Sequence, residues 1–162
     1  MSGEQYVAVV GPADASEADI AAAYATGAAL AARGAVVICG GMGGVMSAVA
    51  AGVRSAGGLC VGLLPGDSRE GASPDLTVAL PTGLGEVRNA LVVRAADALV
   101  AIGGSWGTMS EIALAVRSGR PAVAVGGWQV VDASGSPVDG VIFAGDPGEA
   151  VEAVLALPST DA

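Results

Sequence analysis

With 162 residues, 52% of them hydrophobic, the chain is long enough for one domain with a full core and too short for two. Glycine, proline or charge interrupts the apolar residues every few positions, so no segment offers the roughly 20 apolar residues of a membrane-spanning helix. A net charge of −9 without a basic cluster opposes binding to polymeric nucleic acid or an anionic membrane.

The absence of histidine and lysine narrows the chemistry further. Imidazole-dependent triads, histidine-ligated zinc, a lysine Schiff base and a lysine-containing Walker loop are all excluded. Catalysis would have to rest on carboxylates, arginines, hydroxyls and backbone dipoles, and no metal site is expected. The first eleven residues lack a basic region followed by a long apolar stretch, so the expected compartment is the cytoplasm. Residues 1–162 read as a single domain, with 158–162 as a flexible tail.

In chain order, residues 6–10 form a Val-rich apolar run that stops at Gly11-Pro12, predicting a buried strand and a turn. Ser16 followed by Asp19 predicts a capping box that opens a helix ending at Gly34. Residues 35–39 predict a second strand, followed by the loop Gly40-Gly41-Met42-Gly43-Gly44 and a helix over about 45–56. Residues 59–64 and 76–80 predict two more strands, separated by a polar loop. A helix over 85–96 leads to a strand at 98–102, and a second glycine loop at 103–107 opens a helix running to Ser118. Strands at 122–125 and 141–143 follow, then a helix through 157 capped by Asp146-Pro147. Cys39 and Cys60 fall within predicted strands and read as packed free thiols. Arg94 and Asp97 read as ordinary charges near a helix end.

Continuous apolar strands alternating with helices predict an α/β fold, a Rossmann-like, doubly wound and mostly parallel sheet with helices on both faces. In such sheets ligands bind beyond the carboxyl ends of the strands, where both glycine loops must lie. A glycine turn at a helix start lets an anion approach unpaired N–H groups at the positive end of the helix dipole. Gly104, Ser105, Trp106, Gly107 and Thr108 fit that description, with the Thr108 hydroxyl as an added donor. Gly40, Gly41, Gly43 and Gly44 form the second candidate turn, although they lack the spacing of a dinucleotide fingerprint. The expected partner is a small phosphorylated molecule. Met42 and Met46 are read as core or pocket wall; Trp106 is suited either to stacking on a ligand ring or to packing against a second subunit.

The string GGSWGTMSE at residues 103–111 resembles the PGGxGTxxE signature of the "lonely guy" phosphoribohydrolases, once mislabelled lysine decarboxylases. Their upstream arginine, followed by lysine in the family, corresponds here to Arg88 followed by Asn89. CGGMGGVMSAV at 39–49 is similar to the family's GGGxxGLM segment. PTGLGEVRNALVV and IGGSWGTMSEIALA resemble the branch that includes molybdenum cofactor carriers. Gly103 stands where the family has proline, and Ser105 where it has glycine.

For the hydrolase, the resemblance implies cleavage of the N-glycosidic bond in a nucleoside 5′-monophosphate, with Glu111 stabilising an oxocarbenium-like transition state. Arg88 would hold Glu111 ionised or contact the phosphate. For the carrier, it implies binding of molybdenum cofactor, a phosphorylated pterin, without chemistry. Neither requires a resident cofactor: the bound species would be an AMP-like nucleoside monophosphate or a pterin. Apolar residues on several sides of the helices at 85–96 and 108–118, together with the resemblance, imply a homodimer.

Overall fold

The structure, a computed structural model, describes residues 4–157. The tail expected at 158–162 lies outside the described residues. Strands β1 (Tyr6–Val10), β2 (Val36–Cys39), β3 (Leu59–Leu64), β4 (Val78–Pro81), β5 (Ala98–Ile102), β6 (Ala122–Val125) and β7 (Val141–Ala144) form one sheet. Its order is β4-β3-β2-β1-β5-β6-β7, and all six neighbouring pairs are parallel. The expected mostly parallel sheet is therefore wholly parallel, in the Rossmann-like arrangement.

Both faces of the central strands are buried, which explains their unbroken apolar sequence. Val7 and Val9 of β1 point to one side, where α1 (Glu17–Ala32), α2 (Val45–Ser55) and α5 (Pro147–Leu155) pack. Ala8 and Val10 point to the other, covered by α3 (Arg88–Arg94) and α4 (Trp106–Arg117). Ser16 and Asp19 form the expected reciprocal capping box of α1. The Asp146 carboxylate caps α5 by accepting from the Glu149 amide at 2.9 Å.

Three elements differ from the sequence expectation for identifiable reasons. β4 begins at Val78 instead of Leu76, because the Leu76 side chain fills the space left open by Gly41 and Gly62. The helix expected over 85–96 is a 3-10 turn (Gly85–Val87) followed by the short α3, with Gly85 at a φ of +56° where the chain enters. Asp97 is no ordinary surface charge: it is buried, and its carboxylate accepts from the Tyr6 amide at 2.9 Å, pinning the start of β1 to the segment before β5. Cys39 and Cys60 are buried free thiols on adjacent strands, their sulfurs 3.9 Å apart.

The chain winds outward from β1 to β4, then returns to place β5 on the other side of β1. This reversal opens a crevice beyond the carboxyl ends of β1 and β5. Gly11 is required there, since a Cβ would stand 2.6 Å from the Ile102 carbonyl oxygen. No helix among the described residues is long and apolar enough to cross a membrane.

Candidate functional site

The crevice holds a cleft of about 410 Å³ lined by Gly11, Pro12, Ala13, Met46, Pro65, Gly85, Glu86, Arg88, Asn89, Ser105, Gly107, Thr108 and Glu111. Six of the residues singled out in the sequence thus meet in one cavity: Arg88, Glu111, Ser105, Gly107, Thr108 and the pocket-wall candidate Met46. A second concavity, lined by residues such as Met109, Ile112, Val116 and Phe143, is mostly apolar, with Arg117 and Asp139 as its charged residues.

The turn before α4 forms as its glycines demand. Gly103 has a φ of +66°, which proline cannot adopt, so the family's proline could not stand on this backbone. A Cβ on Gly104 would meet the Trp128 ring at 2.7 Å. Trp128 in turn meets Trp106 edge to face, with centroids 5.0 Å apart. The 126–128 loop therefore braces the turn from outside the cleft. Trp106, 80% exposed, stands on this outer side.

Ser105 is the N-cap of α4, and its Oγ accepts from the Thr108 amide at 3.1 Å. The Thr108 hydroxyl lies 2.9 Å from the same Oγ and is buried. Thr108 thus serves first as part of the cap. The amides of Trp106 and Gly107 keep no backbone partner among the described residues. These are the helix-start donors left for an anion.

Arg88 opens α3 and is buried, with 9% of its surface exposed. Its Nη1 donates to the Leu63 carbonyl at 3.0 Å, whereas its buried Nε has no partner. Gly40 makes room for this guanidinium: a Cβ there would stand 2.0 Å from Nη1. Burial lowers the Arg88 pKa from its ordinary value, and neighbouring Glu111 partly offsets the effect. Glu111, on the second turn of α4, is 7% exposed. Burial pushes its carboxyl up to about 8, with Arg88 acting only as a partial counterweight. The two side chains form no ion pair within 4.0 Å. The expectation that Arg88 keeps Glu111 ionised does not describe this geometry, because desolvation outweighs attraction. At neutral pH the cleft presents a guanidinium cation beside a protonated carboxyl group.

The first glycine loop lies behind this cleft. Gly40 and Gly41 are buried, and Gly43 is exposed away from it. Gly44, with a φ of +64°, allows the backbone of residues 12–13 to cover the start of α2, where the Val45 amide donates to the Pro12 carbonyl at 3.0 Å. Its contribution to the cleft is indirect, through the channel Gly40 leaves for Arg88 and through Met46 from α2. Sequence reasoning passed over Gly11, Pro12, Ala13, Pro65, Gly85 and Glu86 as lining residues. The one signal for the first three was the switch point itself, which makes the loop after β1 a neighbour of the loop after β5.

The match to a family model spans residues 4–157 and carries the description SLOG cluster4 family. The chain belongs to the SLOG cluster4 family. This agrees with the resemblance to the wider "lonely guy" superfamily. An uncharacterised protein of Archaeoglobus fulgidus is 36% identical over 132 residues, covering 78% of this chain and 87% of its own length. Among solved structures, the molybdenum cofactor binding protein of Rippkaea orientalis has a TM-score of 0.86 and 28% identity, over 96% of this chain and 98% of that one. The molybdenum cofactor carrier protein of Chlamydomonas reinhardtii has a TM-score of 0.84 and 31% identity, over 95% and 98%. In the SLOG chain described here, Ser105 replaces the glycine of the resembling signature and contributes a cap that glycine lacks.

Proposed function

We propose that this SLOG protein binds a phosphorylated pterin of the molybdenum cofactor class as a carrier, holding the phosphate between the start of α4 and Arg88. The observation that carries this reading is the buried Arg88 guanidinium, whose Nε has no protein partner, lining the same cleft as the open helix start. An unpaired buried donor on a cation is costly unless an anion meets it. The likeness to two molybdenum cofactor binding structures over nearly their whole length supports the pterin as ligand. Mass spectrometry of the molecule that co-purifies with the protein should find a pterin monophosphate, and Arg88→Met should abolish its retention. A ligand-free protein that also fails to take up the cofactor would overturn the reading.

Hydrolysis of a nucleoside 5′-monophosphate is the second reading, favoured by one observation: the Glu111 carboxyl group stands in the cleft beside Arg88. Its protonation at neutral pH suits donation to a leaving base better than stabilisation of an oxocarbenium ion. Release of free base from AMP, abolished by Glu111→Gln, would establish it.

We further propose a homodimer formed through the outer face of the 3-10 turn, α3 and α4, where Val87, Leu91 and Leu114 are exposed.

A further inference from the structure

The cleft is lined by charges of both signs. Arg88, buried, lines it together with Gly107, whose amide at the start of α4 has no backbone partner among the described residues. Glu86, exposed, lines the cleft as well, and its carboxylate makes no hydrogen bond or ion pair with any described residue. The chain before Glu86 is firmly held: the Gly85 amide donates to the Pro65 carbonyl at 2.9 Å and the Gly83 amide to the Gly66 carbonyl at 2.8 Å. Gly11, Pro12, Ala13 and Pro65 also line the cleft and bring no side-chain hydrogen-bonding group, whereas Asn89 brings an amide.

Such a cavity suits a molecule with an anionic end, a planar middle and an end rich in hydrogen-bond donors. The phosphate must lie at Arg88, because a second anion beside Glu86 would be repelled. The far end then meets a carboxylate, which only accepts.

We propose that Glu86 is a specificity-determining residue, its carboxylate accepting two parallel N–H bonds from the 2-amino-4-oxo pyrimidine edge shared by pterins and guanine. The proposal rests on the reading of Arg88 and the start of α4 as a phosphate site. Two adjacent donors, a ring N–H and an exocyclic amine, match the two oxygens of one carboxylate. Hypoxanthine keeps only the ring N–H. Adenine sets an acceptor nitrogen there, which faces the carboxylate unfavourably.

The test is calorimetric titration of the protein with ribose 5-phosphate, GMP, IMP and AMP, followed by the same series on Glu86→Gln. Glu86 is exposed, so the variant should fold, and its melting temperature checks this. In the unaltered chain, affinity should fall in the order GMP, IMP, AMP, with GMP over AMP by about tenfold to a hundredfold, the usual worth of a bidentate pair. In Glu86→Gln the GMP preference should collapse, because the amide matches only one of the two donors. If ribose 5-phosphate binds while the three nucleotides bind alike, or if Glu86→Gln keeps the GMP preference, the assignment of Glu86 is wrong and the phosphate site stands. If none of the four binds, both the phosphate site and the role of Glu86 are lost.

Discussion

Glu111 shows how one residue's surroundings decide its chemistry. A glutamate one turn beyond a phosphate-type loop is readable in the sequence as a functional candidate. Its protonation state is not readable there, because that depends on how completely α4 and the cleft wall exclude water. The titratable groups that interact with it are Arg88 and the buried Cys39 thiol. The folded carboxyl holds its proton up to about 8, whereas an ordinary one releases it near 4.5. Between those values the folded state binds more protons than the unfolded one, so stability falls as pH rises through that window. Below it both forms are protonated and the penalty vanishes. Glu111→Gln removes the titration: relative to the unaltered chain, it should gain roughly 3–5 kcal/mol, or roughly 6–20 °C in Tm, between pH 4.5 and 8.5. Any fixed cost of burying the amide is the same at every pH and cancels from the slope. Parallel melting profiles for the two proteins would mean that Glu111 is ionised throughout. The same protonation should favour a bound dianion, which Arg88 then meets without a competing charge.

At the scale of the element, β5, its turn and α4 form one unit in which Gly103 and Gly104 have steric reasons and the Ser105 hydroxyl has an energetic one. Ser105 satisfies the Thr108 amide and holds the Thr108 hydroxyl against itself. Ser105→Ala removes that acceptor and should cost about 1 kcal/mol, whereas Ser105→Gly, which restores the signature's glycine, should cost only a few tenths. Urea denaturation midpoints at constant slope measure both. Equal losses would show that the hydroxyl does not act as the cap. The loop itself was legible in the sequence because strand, glycines and helix are local features. Its brace was not: Trp128 reaches Gly104 only because β6 pairs with β5, a contact between segments more than twenty residues apart. The first glycine loop misled for the same reason. Its composition matches an anion turn, but the backbone of residues 12–13 occupies the approach to α2.

For the whole molecule, the alternation of apolar runs and helices was enough to specify an α/β sheet, because strands buried on both faces cannot hide that periodicity. What the pattern left open was strand order, and with it the cleft, which exists because β5 returns to the far side of β1. The same return places α3 and α4 side by side on one face, with α1, α2 and α5 on the other. The 3-10 turn leaves Val87 exposed and α3 leaves Leu91 exposed, while Leu114 of α4 lies in the groove between the two helices with Arg94 and Arg117. Exposed apolar side chains gain by being covered, and a second copy meeting them across a two-fold axis would bury matching residues on both partners. A stable dimer needs about 800 Å² from each partner, more than these three side chains supply, so neighbouring parts of both helices must take part. The expected outcome is a dimer by light scattering at micromolar concentration, converted to a folded monomer by Leu91→Glu together with Leu114→Glu. An unaltered chain that scatters as a monomer would remove the interface. A dimer that survives both charges would move the interface to another face.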